Sequence, residues 1–209
     1  KEYRRQRQMC IRDRCDIVLD LACGTGSVSK YLSDLGYNVI GLDLSDEMLT
    51  VASSKQIKNA MFIKGDMTNF ELPHKVDCCV CSLDSINHLK DIVEVKKCFD
   101  CVYNSLNDGG VFVFDVNTVY KHKNVLGNNT FVFDEEDFFL SWDNEYLGDN
   151  TVRILLDFFV YNGKNYDRFS EEFNEKAYSV NELKSVLNNF NIIGIYDELN
   201  LDDIKDDSE

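Results

Sequence analysis

The sequence predicts an α/β protein with a doubly wound, mostly parallel β-sheet and an inserted small antiparallel sheet. Two observations lead to this prediction. Five short apolar runs between residues 17 and 116 are separated mainly by helical patterns, as in doubly wound parallel sheets. Residues 129–178 then form strand after strand with short connections, which is typical of antiparallel pairing.

The first element is a strand, a glycine turn and a helix. Ile17–Leu19 is apolar and mostly β-branched, which predicts a buried strand, and Asp20 ends the run. Gly24 and Gly26 form the turn, and apolar residues at helical spacing follow as far as Gly36. Glycines let the backbone approach a ligand closely, and such a turn lies where α/β sheets bind ligands.

The turn matches the dinucleotide fingerprint G-x-G-x-x-G/A only in part, because Ser29 stands at the third position. A carboxylate such as Asp20 on the lip of the site opposes a pyrophosphate but suits a cation. An NAD(P)-binding oxidoreductase remains an alternative that both residues disfavour. The segment DLACGTG resembles the first motif of class I S-adenosylmethionine-dependent methyltransferases, whose cofactor carries a sulfonium and an ammonium group.

Four further strands continue the pattern. The second strand is predicted at Asn38–Leu42, and Asp43 follows it. An acidic residue that binds ribose hydroxyls is expected roughly 20 residues after the first motif, and Asp43 lies near that position. The remaining strands are predicted at Met61–Ile63, Val76–Ser82 and Gly110–Val116, with a long amphipathic helix before the last one.

The resemblance implies a Rossmann-like methyltransferase fold, S-adenosylmethionine as cofactor and S-adenosylhomocysteine as product. Asp20 would answer the charge of the methionine portion, Asp43 would hold the ribose, and Asp66 and Met67 would hold the adenine. His88 is a candidate base, weighed against a plain role in helix entry. The cofactor-binding residues expected from the resemblance are Asp20, Ala22, Gly24, Gly26, Asp43, Leu44, Asp66, Met67, Ser82 and Leu83.

The inserted sheet resembles the lid, acceptor pocket or dimer surface of small-molecule N- and O-methyltransferases. Its aromatic residues could line a pocket or simply pack the sheet. In that subset a histidine near Asn174 and an arginine near Lys176 are expected, and this sequence has neither. The methyl acceptor and the methylated atom (N, O or C) therefore stay open.

Four segments are predicted along the chain. Residues 1–14, with six basic and two acidic residues, are interpreted as a non-native basic leader, and 15–118 as the cofactor-binding core. Residues 119–178 form the inserted sheet, and 179–209 hold a last helix, a sixth strand at 191–196 and an acidic tail. The family's N-terminal cap and closing strand are expected to be missing. A truncated, catalytically weak binding or dimerisation module is therefore a second alternative.

Composition excludes several classes of partner. The net charge of −15 disfavours nucleic acid and anionic membranes, which leaves a small-molecule acceptor and a possible homodimer. Cys98 and Cys101 have metal or redox spacing but fall within a predicted helix, so they are interpreted as core thiols and no metal site is predicted. The eight cysteines indicate a reducing, cytoplasmic compartment.

Overall fold

The computed structural model describes residues 16–197, 202–205 and 207–208. Within this part of the chain, residues 16–86 and 93–115 form one compact unit, and residues 87–92 together with those from 116 onward form a second. The predicted leader at 1–14 lies outside the described residues. No helix in the described part is long and apolar enough to cross a membrane.

The first unit contains the predicted parallel sheet. Its five strands are all parallel in the order β3-β2-β1-β4-β5, which confirms the fold class. β1 lies at the centre of the sheet, so nearly all of its side chains are buried. The elements are β1 (Ile17–Leu21), α1 (Ser27–Asp34), β2 (Asn38–Asp43), α2 (Asp46–Ser54), β3 (Ala60–Lys64), β4 (Val76–Cys81), α3 (Ile92–Ser105) and β5 (Leu106–Phe114).

The helices begin and bury their apolar faces as their sequences predict. The Ser45 hydroxyl accepts the backbone N–H of Met48 at 3.2 Å and so caps α2. In α3 the buried residues recur at helical spacing, and Phe99 packs edge-on against Phe112 of β5. Cys98 belongs to this buried face, where burial raises the pKa of its thiol to about 12.

The fifth strand begins earlier than predicted. β5 already includes Asn107–Gly110, because the β4–β5 register shifts between Val76 and Cys78 and takes up the extra residues. Asp77 lies in this irregularity, and its carboxylate accepts the side-chain amide of Asn107 at 2.8 Å. The segment before Gly110, where the sequence predicted no strand, is therefore part of β5.

The second unit contains the predicted antiparallel sheet, in the order β6-β7-β8-β9. A buried cluster of Leu126, Val152 and Ile154 forms its core, with Trp142 and Tyr146 packed against it. These two aromatic residues therefore pack the sheet. The elements are a π-helical turn (Lys121–Leu126), β6 (Thr130–Asp134), β7 (Phe138–Gly148), β8 (Thr151–Tyr161) and β9 (Tyr166–Lys176).

The last helix is confirmed and the sixth strand is not. α4 (Val180–Val186) begins with a capping box between Ser179 and Glu182. The predicted strand at 191–196 is wrong: within the described residues, 191–195 form no strand and add none to the parallel sheet. A short β10 (Tyr196–Asp197) pairs instead with β11 (Asp202–Asp203), because a strand forms only where an edge is available to pair with it.

Candidate functional site

The glycine turn after β1 is a run of left-handed backbone. Ala22, Gly24 and Gly26 all have positive φ, and the N–H of Cys23 is tied to the carbonyl of Leu42 at 3.0 Å. A Cβ at Gly26 would lie 3.0 Å from the ring of Phe62, so this position needs glycine both for conformation and for space. At Gly24 a Cβ would meet nothing within 4 Å, so a ligand can reach the backbone there.

Asp20 lies beneath the turn rather than on its lip. Its side chain is 1% exposed and accepts the Ser29 hydroxyl at 2.5 Å. Burial raises the pKa of the Asp20 carboxyl to about 6; hydrogen bonds from Ser29 oppose the rise, and the charge of Asp43 adds to it. The expectation of a lip position is thus wrong, since the end of the central strand that carries Asp20 is buried. Ser29, known from the sequence only as a departure from a fingerprint, is the residue that satisfies this carboxylate.

Asp43 joins the turn to the next helix. Its carboxylate accepts the N–H of Gly24 at 2.7 Å through Oδ2 and the N–H of Ser45 at 2.9 Å through Oδ1. The side chain is half-buried, and both oxygens keep further lone pairs for a ligand hydroxyl. Asp43 therefore fixes the shape of the glycine turn, and its ribose role stays a prediction.

The segment after β4 is strained and held by one carboxylate. Leu83 and Asp84 both have positive φ, which is unusual for a bulky residue such as leucine. Asp115, just after β5, accepts the N–H of Leu83 at 3.1 Å and that of Asp84 at 3.0 Å. The Leu83 side chain is 72% exposed as a result. Backbone strain of this kind is typical of ligand sites.

A cleft of about 120 Å³ lies between the two turns. Five of the expected cofactor residues line it. Cys23 lines it as well, as a neutral thiol, because burial and the nearby carboxylates of Asp20 and Asp43 raise its pKa to about 12. The lining residues are Asp20, Ala22, Cys23, Gly24, Thr25, Ser27, Val28, Ser82, Leu83 and Ser85.

The other expected cofactor residues lie outside the cleft lining. Gly26 and Asp43 shape the turn, and Leu44 is 66% exposed. Asp66 is exposed and accepts both the N–H and the hydroxyl of Thr68 at 2.8 Å, and Met67 beside it is half-buried. The adenine and ribose roles of these residues remain predictions.

The second unit holds a group of polar residues of which the sequence analysis named only His88. They are here called the Glu175 cluster: Asn87, His88, Asn117, His122 and Glu175. Glu175 is 4% exposed and His122 is fully buried. The signal in the sequence was the period-two alternation of β9, which places Glu175 on the same side as Phe173, a residue packed against the core. His88 is the last residue of a 3₁₀ turn (Ser85–His88).

Comparison with known proteins identifies the family. The chain is 36% identical over 179 residues to YqeM of Bacillus subtilis (strain 168), which carries the name of a methyltransferase; the match covers 82% of this chain and 71% of that protein. This chain belongs to the S-adenosylmethionine-dependent methyltransferases. A family model described as a methyltransferase domain matches residues 18–110.

One solved structure and one further relative extend the comparison. A S-adenosylmethionine-dependent methyltransferase from Clostridium acetobutylicum ATCC 824 superposes with a TM-score of 0.88 at 36% identity, covering 97% of this chain and 85% of that one. A dTDP-3-amino-3,4,6-trideoxy-alpha-D-glucopyranose N,N-dimethyltransferase from Streptomyces venezuelae is 34% identical over 98 residues, covering 47% of this methyltransferase and 41% of the relative.

The cleft fits S-adenosylmethionine in its chemistry. A buried carboxylate with a raised pKa gains from a cation nearby, and the methionine end of the cofactor is cationic at both nitrogen and sulfur. The backbone at Gly24 is open to close approach, as a compact amino-acid portion requires. The expected cofactor is thus confirmed by the family, and the family also decides for methyl transfer over the hydride-transfer alternative.

Proposed function

We propose that this methyltransferase transfers the methyl group of S-adenosylmethionine to an amino group of a small molecule, and that the methionine end of the cofactor binds in the cleft between the glycine turn and Leu83. The observation that supports the binding site is the buried Asp20 carboxylate at the wall of that cleft. The cofactor supplies a methyl carbon that is already activated by its sulfonium.

The residues of the chain then have to orient the cofactor and the methyl acceptor. Asp43 holds Gly24, and Asp115 holds Leu83 and Asp84, so both walls of the cleft are fixed before any ligand binds. Aligning a nucleophile with the methyl carbon can supply about 7–11 kcal/mol of the barrier without covalent catalysis. Positioning is therefore the main task of the site.

The class of acceptor rests on a relative and on one side chain. The Streptomyces venezuelae relative is named for methylating the amino group of a nucleotide-linked sugar. An amine releases a proton when it is methylated, and the candidate base His88 is half-exposed, so it can take up such a proton. An amino sugar is accordingly the acceptor class we propose first.

The cysteines bear on the compartment in which the protein works. Within the described residues the cysteines are in the reduced form, which supports a reducing cytoplasm as the compartment. The homodimer expected from the sequence stays a prediction.

Transfer of radioactive methyl groups tests this function. Purified protein is incubated with methyl-tritiated S-adenosylmethionine and either a nucleotide-linked 3-amino sugar or its 3-hydroxy counterpart. The proposal expects label on the amino sugar and at least tenfold less on the hydroxy sugar. Label on the hydroxy sugar alone would overturn the amine assignment. Binding of S-adenosylhomocysteine without transfer to either probe would favour the binding-module alternative.

A further inference from the structure

In the Glu175 cluster, a hydrogen bond shows which nitrogen of His122 carries a hydrogen. Nδ1 of His122 lies 2.9 Å from the carbonyl oxygen of Asn150, and a carbonyl only accepts, so Nδ1 carries a hydrogen. Among the residues that the structure describes, Nε2 of His122 has no hydrogen-bond partner. It lies 3.6 Å from Oε2 of Glu175. This separation is longer than a hydrogen bond, so His122 packs beside the carboxylate without donating to it.

Two asparagines hold Glu175 in place. The side-chain amide of Asn117 donates to Oε2 of Glu175 at 3.1 Å. Asn87 donates to the carbonyl of Asn117 at 3.0 Å and accepts its backbone N–H at 2.9 Å. Asn87 also donates to the carbonyl of Lys176, next to Glu175 in β9, at 3.0 Å. The carboxylate is therefore fixed through Oε2, which directs Oε1 to one place.

That place is next to His88. Nε2 of His88 lies 3.9 Å from Oε1 of Glu175, and the His88 ring rests against Phe173 with ring centroids 5.2 Å apart. At this distance the two groups form an ion pair when His88 is protonated, and the separation is longer than a hydrogen bond. The His88 side chain is 48% exposed while Glu175 is 4% exposed, so a buried acid stands behind a histidine that solvent reaches.

We propose that Glu175 is a positioning residue for His88: its carboxylate holds the Nε2–H edge of the ring and leaves Nδ1 free to accept the proton of the methyl acceptor. The arrangement follows the common pattern in which a carboxylate fixes the tautomer and orientation of a histidine base. The inference rests on the proposed methyl transfer to an amine.

The proton step balances with these groups alone. The lone pair of the acceptor nitrogen forms the new N–C bond while the C–S bond breaks and its electron pair goes to sulfur. The proton released from nitrogen passes to Nδ1 of His88, and the N–H electron pair stays on nitrogen. The imidazolium that results lies beside the Glu175 carboxylate, which compensates its charge.

Nitrogen NMR of the histidine rings tests the positioning without any acceptor. The sequence has three histidines, so each ring is assigned by substituting the others in turn. The unligated full chain should show neutral His88 mainly with its hydrogen on Nε2. Glu175→Gln should lower the fraction of His88 with its hydrogen on Nε2, since a neutral amide holds the Nε2–H edge less strongly. The control Glu171→Gln, exposed on the same strand, should keep it.

An unchanged His88 tautomer in Glu175→Gln would overturn the proposal. If that variant does not fold, Glu175→Asp serves instead, because it keeps the charge but moves it back by one methylene group. An unchanged His88 tautomer in Glu175→Asp would also overturn the proposal.

Kinetics separate this inference from the proposed function. With the 3-amino sugar as probe, Glu175→Gln should lower kcat at least tenfold and leave the KM for S-adenosylmethionine within twofold of wild type, while Glu171→Gln changes neither. Equal kcat in wild type and Glu175→Gln would refute the role of Glu175 alone. Failure of the wild-type protein to methylate the probe would instead refute the proposed acceptor, and the NMR result would still stand or fall by itself.

Discussion

Replacing Asp20 by Asn should stabilise the ligand-free protein at neutral pH. Burial raises the pKa of this carboxyl from 3.8 to about 6, so the folded state must ionise a group that resists ionisation. At about 1.4 kcal/mol per pKa unit, the penalty is about 3 kcal/mol at pH 7. Asn removes the charge and keeps an oxygen that accepts the Ser29 hydroxyl, so the variant should recover most of this energy.

The sign of the effect sets its pH dependence. Between pH 3.8 and about 6 the folded state binds more protons than the unfolded state, so the contribution of Asp20 to stability falls as the pH rises through this window. The advantage of Asn should therefore shrink from about 3 kcal/mol at pH 7 to about 0.5 kcal/mol at pH 4.

Urea unfolding followed by circular dichroism at the two pH values measures this difference. Asp34→Asn, an exposed change at the end of α1, is the matched control and should shift stability by less than about 0.5 kcal/mol. Asp20→Asn should also bind S-adenosylmethionine more weakly, because its sulfonium and ammonium groups lose a nearby carboxylate. A variant that is no more stable than wild type at pH 7, or whose advantage persists at pH 4, would refute the reasoning.

Three further changes probe the walls and the core. Asp43→Ala should weaken S-adenosylhomocysteine binding by more than 1 kcal/mol, since hydrogen bonds to charged groups contribute about 1.5–3 kcal/mol; unchanged affinity in calorimetry, with the fold intact, rules out the role. Asp115→Asn should cost about 1–2 kcal/mol in urea unfolding and speed amide exchange at Leu83–Asp84, because one acceptor oxygen is lost; unaltered exchange would speak against the clamp. Protein purified without chelator should hold no stoichiometric zinc by atomic absorption, because burial keeps Cys98 a thiol; zinc that disappears in Cys98→Ser would show otherwise.

Local pattern was enough for the order of the elements. The apolar runs and the glycine turn predicted the parallel strands β1 to β5, and helices α2 and α4 begin after serine residues that cap them. These signals are local because each depends on residues within one turn or one strand.

Pairing and burial were not predictable in the same way. The run at 191–196 contains Ile192 and Ile193, which suggested a strand, yet both side chains are exposed because the chain does not pair there. Asp20 is buried and Glu175 faces two histidines only after distant segments come together. The Glu175 cluster joins residues 87, 122 and 175, and no local pattern connects positions so far apart.

Isothermal titration of the purified chain with S-adenosylhomocysteine, and in parallel with NAD, tests the central claim most directly. We expect one S-adenosylhomocysteine to bind per chain and NAD to give no measurable heat, because a buried carboxylate at the glycine turn favours an ammonium group and opposes a pyrophosphate. NAD binding more tightly than S-adenosylhomocysteine would contradict it.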